Sequence, residues 1–394
     1  MTSADEFLLL ACVDYERWRL ENIEKAEQML IDDPSLSRAN IWTAAAAGDV
    51  DAARSLLDAD ATLVNARGGP HRWEPLLYAC YSRVDRPTLD VARLLIERGA
   101  DPNARFLWHG NEPPFTALTA AFGEGEDSIN EPPHRDRDAL ARLLLDAGAD
   151  PNDGQTLYNK HFRRDDAHLK LLFEYGLSDQ KLLVEELWSA ARKNYFDRVK
   201  LLVEHGTDVN TPGFRDGRTP YANAMLFGNT AIAEYLEQHG ARRSDLDLTD
   251  RFTAACIAGR REEVTSILRE HRGLPEQLGA HGRIALVQRA VEARRPEGVR
   301  LLAELGFEIS GTTKHDSVGI NLAATPLHNA SSQLDMVKLL IELGADPNVR
   351  DRNYHATPLG WAVHGHQWDV VDYLLPLTET TEEERAMIRA LRGR

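Results

Sequence analysis

The run Met-Val-Lys-Leu-Leu-Ile-Glu-Leu-Gly-Ala-Asp-Pro-Asn at residues 336–348, followed by Thr-Pro-Leu at 357–359, decides the fold of this chain. Met336, Val337, Leu339, Leu340 and Ile341 recur at helical spacing, so 336–343 reads as an amphipathic helix with one face to bury. Gly344 supplies the left-handed residue that ends a helix, and Asp346, Pro347 and Asn348 favour a tight turn directly after it. Thr357 is a natural N-cap, and Pro358 costs nothing in a first helical turn, where its missing N–H would have gone unpaired. The unit therefore reads as helix, turn, hairpin-like loop and new helix.

The same order of signals recurs, with turns ending at Asn103, Asn152 and Asn210, and Thr-Pro-Leu-His stands intact at 325–328. This grammar resembles the ankyrin repeat, a unit of about 33 residues whose first helix opens on Thr-Pro-Leu-His. Asn210 and Asn348 lie 138 residues apart, close to four such units, and weaker copies fill the interval. The resemblance covers nearly the whole chain. It implies an all-α fold: an ankyrin-repeat solenoid of about eleven helix-turn-helix units with hairpin-like loops and three insertions. Alanine and arginine are frequent and lysine is scarce, which suits a GC-rich genome and a resemblance to bacterial, actinobacterial-type ankyrin-repeat proteins.

A solenoid grows by stacking, so residues 1–394 are expected to form one elongated domain rather than several globules. Residues 1–37 are read as a divergent N-terminal capping repeat, 38–153 as repeats with insertions at 106–115 and 123–137, and 154–312 as irregular middle repeats. Regular C-terminal repeats follow at 313–378, and a charged closing helix at 379–394. The 49 residues from Asn103 to Asn152 are too many for one plain unit, which the two insertions explain. The 58 from Asn152 to Asn210 are too few for two, which compresses a fifth repeat at 156–176. The polar loop 311–322 is the third insertion.

Lys plus Arg total 46 against 62 Asp plus Glu, a net charge of −16, which disfavours nucleic acid and anionic membrane as partners and favours a basic one. The three cysteines, Cys12, Cys80 and Cys256, show no paired spacing and suit core positions in a reducing cytoplasm. The apolar run from Phe7 to Val13 follows Asp5 and Glu6 rather than a basic flank, unlike a signal peptide. The expectation is a cytoplasmic monomer.

No Gly-rich phosphate loop, His-Glu-x-x-His, Cys-x-x-Cys or Gly-x-Ser-x-Gly stands in the sequence, so the chain is read as non-enzymatic, with no cofactor and no metal. His364 and His366 fall two apart, on different sides of a helix, and the acidic stretch Glu124, Glu126, Asp127 lacks calcium-loop spacing. The ankyrin resemblance implies instead that a protein or peptide docks in a concave groove formed by hairpin tips and the ends of first helices. It places Tyr81, Arg192, Lys193, Leu226, Phe227, Ile257 and His364 on that face. Phe106, Trp108 and His109 in the first insertion, and Tyr354 and His355 before the last repeat, extend the candidate surface, because aromatics on projecting loops anchor interfaces. His328, in Thr-Pro-Leu-His, is expected to tie neighbouring repeats. A different reading makes the insertions lids over a small-molecule or catalytic pocket, with Tyr158, His161 and Arg218 converging on it.

Overall fold

The computed structural model describes residues 2–16, 18–125, 131–243, 246–312 and 323–392. Glu126 and Asp127 of the acidic stretch, and most of the insertion expected at 311–322, lie outside these residues. Among the described residues, 22 of the 24 α-helices fall into eleven successive pairs, from Ser3–Ala11 with Asn22–Asp32 to Pro358–His364 with Trp368–Leu374. The remaining two are the short helix Leu274–Gln277 and the closing helix Glu382–Arg392. The all-α ankyrin-type architecture is thus the observed one. The chain divides into two compact units, residues 1–186 and 187–394.

Local chemistry sets the helix ends as read. Thr219 and Thr357 accept from the backbone N–H three residues on, with Pro220 and Pro358 in the first turn behind them. The asparagine that closes each turn does more than favour the bend. Asn103 Nδ2 donates to the carbonyl of Gly148 at 3.0 Å while its Oδ1 accepts from Asp150 N–H at 2.9 Å. Asn65 makes the same pair of bonds to Gly99 and Asp101, and Asn210 to Gly240 and Arg242. One side chain thereby satisfies a helix-terminal carbonyl and a loop amide of the next repeat, groups that the helix itself cannot pair. His328 stitches the first helices: Nδ1 faces Thr325 Oγ1 at 2.8 Å and Nε2 donates to Ala356 O at 3.0 Å.

In the first unit, Ala44, Ala45 and Ala46 are fully buried, and their small size lets the first helices of neighbouring repeats approach closely. The first insertion is an antiparallel hairpin, Arg105–Trp108 with Asn111–Thr116, pairing Phe106 with Phe115. Its tip, His109 and Gly110, has φ of 49° and 78°, the two left-handed residues of a tight hairpin turn that matches strand twist. Behind it Arg83 is almost wholly buried, donating to the carbonyls of Cys80, Ser82, Ala120 and Pro132 at 2.8–3.0 Å. It ties the second insertion to the turn of the third repeat.

The core of the second unit runs through Phe252, Ile257, Leu286, Val299, Leu327, Leu340, Leu359 and Leu374, each at most 2 % exposed. Two close approaches shape it. A Cβ on Gly298 would stand 2.2 Å from the Ile257 carbonyl oxygen, so the helix Pro296–Glu304 sits directly on the end of Leu248–Ile257. Gly228, at φ 71°, ends the seventh repeat's first helix where Ile257 and Ala293 press against it. Among the described residues no helix is long and apolar enough to cross a membrane.

Candidate interaction site

The residues expected to face a partner separate into three groups. Tyr81, Leu226, Phe227 and Ile257 are buried, which corrects their assignment to an open face. Tyr81, Leu226 and Ile257 are each the last residue of a helix and Phe227 is the cap that follows Leu226, and there the side chains turn back into the array. Tyr81 packs among Tyr15, Trp73 and Phe106 and donates its hydroxyl to Thr116 O at 2.8 Å. Leu226 packs with Ile284 and Ala285, and Ile257 is closed in by Gly228 and Gly298. Phe106, Trp108, Arg192 and Lys193 are half-buried. His109, Tyr354, His355 and His364 are exposed, Tyr354 by 76 %.

In the first unit the hairpin aromatics are spent mainly on each other. Phe106 stacks on Trp73 at 4.5 Å and on Phe115 at 5.5 Å. The Trp108 ring meets His109 edge-on at 4.4 Å, and its indole N–H is buried with no hydrogen-bond partner. Tyr158 and His161 lie edge to face at 4.9 Å. In the second unit Tyr354 rests edge-on at 6.5 Å from Trp361.

The second unit assembles a different constellation at its helix ends. Arg192, near the end of Gln180–Lys193, lays its guanidinium 4.8 Å from the ring centre of Phe227, which caps the helix Pro220–Leu226. Arg289, on the helix Gly279–Glu292, lies 5.0 Å from the same ring. The first helix of the intervening repeat, Leu248–Ile257, runs out into the small residues Ala258 and Gly259. Arg192 also lies 5.4 Å from the ring of Trp188, whose indole N–H donates to Asp216 at 2.9 Å and so steadies the loop before Thr219. On that loop Phe214 is 77 % exposed.

Electrostatics follow from the crowding. Burial, then the charge of Arg289, pulls Arg192 down to about 10. Burial, then the charge of Arg218, lowers Arg289 as well. Loss of bulk water around its carboxyl raises Glu292 to about 7 against the opposing pull of Arg192 and Arg289. Arg218 is committed elsewhere, gripping Asp250 with Nε at 3.1 Å and Nη2 at 3.0 Å. A depression of about 440 Å³ beside it, lined in part by Asn210, Arg242, Asp247 and Asp250, is therefore already charge-paired at its centre.

Sequence reasoning named Arg192 and Phe227 but missed Arg289, Trp188 and Phe214. Arg289 stands one turn before Glu292, so the helix period alone brings it to the same end of the groove. Among the described residues no group of three or more His, Cys, Asp and Glu side chains could hold a metal ion. Cys80 and Cys256 are pushed up to about 12 by burial, and Cys12 higher still, so none is a thiolate nucleophile near neutrality.

Models of the ankyrin repeat match residues 71–106, 187–237 and 309–383. A fowlpox virus (strain NVSL) protein named for its ankyrin repeats is 25 % identical over 209 residues, covering 51 % of this chain and 49 % of that protein. The chain thus spans about half the length of the curated relative it matches. Ankyrin repeats therefore stand in this chain at the three matched segments, and the helix pairs and stitched turns follow the same pattern between them.

Proposed function

We propose that this chain is a non-catalytic interaction module that docks a protein or peptide in the concave groove of its repeats. Ankyrin repeats are in general protein–protein interaction modules. The observation that carries the reading is the Arg192–Phe227–Arg289 stack, two half-buried cations set on one ring at the helix ends where such repeats meet their partners. Exposed Phe214 beside it, and exposed His364, Tyr354 and His355 further along the unit, supply additional contact area. Large rings at an interface bury much area at little entropic cost. Trp108 and His109 form a second candidate contact in the first unit. A bacterial, cytoplasmic, monomeric setting belongs to the same proposal, and the net −16 favours a partner that is basic over its surface as a whole, a balance that a short acidic segment within it does not upset.

The test is selection of a random displayed peptide library on the full chain, followed by calorimetry. Selected peptides should lose affinity for Phe227→Ala and for Ala258→Arg, the second placing bulk in the groove without emptying the core. Enrichment of no peptide, or of peptides indifferent to both changes, would refute groove docking.

A further inference from the structure

We infer that the Arg192–Phe227–Arg289 stack is a carboxylate receptor, taking an aspartate or glutamate side chain of an acidic peptide segment laid in the groove. The inference rests on the groove-docking reading above and specifies what the groove recognises.

Two observations point to a missing anion. Among the described residues neither guanidinium makes a hydrogen bond or ion pair, and Nε of Arg289 is buried with no partner. Leaving the Nε–H of Arg289 unpaired away from water is costly, and the remaining donors of the two guanidinium groups, half-buried, are open to an incoming acceptor. Other arginines of the same unit are satisfied: Arg218 by Asp250, Arg261 by Glu304, Arg300 by Glu342 and Arg392 by Asp372.

Glu292 is near enough for its charge to be felt at both arginines, yet among the described residues it hydrogen-bonds to neither, so it is no internal counter-ion of the contact kind. Contact with Phe227 fixes both planes in advance, lowering the entropy lost when an anion is clasped between them. The net −16 does not oppose this, because charges further than about 8 Å across solvent are largely screened at physiological ionic strength. Glu292 and Asp216 bear on the choice of anion, since a phosphate dianion would meet more repulsion from them than a carboxylate would.

Fluorescein-labelled peptides alternating glutamate with alanine, and twins with glutamine, phosphoserine or lysine in place of glutamate, would be titrated against the full chain by anisotropy. The glutamate peptide should bind about tenfold or more tightly than its glutamine twin. Arg192→Gln and Arg289→Gln should each erase that difference, with circular dichroism unchanged, while Arg261→Gln, paired to Glu304 on the surface, should leave it intact. Equal binding of the glutamate and glutamine twins, preference for phosphoserine or lysine, or discrimination that survives in Arg192→Gln and Arg289→Gln would overturn the receptor. Library-selected peptides that respond to Ala258→Arg but ignore Arg192→Gln would remove the receptor and leave groove docking standing. Peptides indifferent to Ala258→Arg would remove groove docking itself.

Discussion

Gly298→Ala is expected to destabilise this protein although it replaces glycine inside a helix, where the same change ordinarily gains about 1 kcal/mol. The helix Pro296–Glu304 needs the missing methyl. An added Cβ would stand 2.2 Å from the carbonyl oxygen of Ile257, 2.8 Å from its carbonyl carbon and 2.9 Å from the carbonyl oxygen of Cys256. Ordinary contact begins near 3.4 Å, so the helix has to retreat by roughly 1 Å. The obstacle is backbone and cannot swing aside as a side chain would. Overpacking of this kind costs about 1–3 kcal/mol, and a backbone obstacle places this case at the upper end, for a net loss of about 2 kcal/mol after the propensity gain. Urea unfolding followed by circular dichroism would show a lowered midpoint. Gly273→Ala, where nothing stands within 4 Å of the added atom, is the control and should be neutral. A Gly298→Ala midpoint equal to or above wild type would refute the close approach, and with it the account of why Ile257 is closed off from the groove.

Leu340→Ala, a fully buried position, should cost about 2–5 kcal/mol, and hydrogen exchange should lose protection first in the helices between 326 and 374, because repeats hold only their neighbours. Acid should weaken the first unit. Burial, with help from Arg83 and Arg135, holds His134 down at about 3 against 6.5 unfolded, so below 6.5 the unfolded chain binds the proton first and stability falls with pH. Between pH 7.5 and 5 the wild type should lose about 2 kcal/mol more than His134→Asn in urea titrations. Asn103→Ala should cost about 1 kcal/mol by freeing the Gly148 carbonyl and the Asp150 amide, seen as faster exchange at Asp150.

The repeat architecture was legible because its signals are local. Gly344, Pro347 and Thr357 act through φ restriction and capping, which hold in nearly any surroundings. Exposure at the helix ends was not legible, because it depends on what the next repeat brings. Leu226 and Phe227 both enter a cluster with Ile284 and Ala285 from two repeats further on, and Phe227 in addition meets the guanidinium groups of Arg192 and Arg289. Arg289 escaped notice for the same reason: its partner ring lies 62 residues earlier, across a whole intervening repeat.

The meeting of two guanidinium groups on one ring bears on what the stack is for. A stacking contact with an aromatic face stabilises a guanidinium by about 0.5–2 kcal/mol, while stripping water from two like charges and leaving their donors unpaired opposes folding by a comparable or larger amount. The charge of Arg289 lowers Arg192's hold on its proton, the sign that the two repel. Stability alone would be served better by an aliphatic side chain at either position, or by a carboxylate at Ala258 to bridge them. The scaffold has neither, although it places carboxylates against Arg218, Arg261, Arg300 and Arg392. Cations that feel nearby acids without hydrogen-bonding to them, and that are held against a ring, are an arrangement whose unfavourable terms are recovered when an anion from outside pairs with their donors.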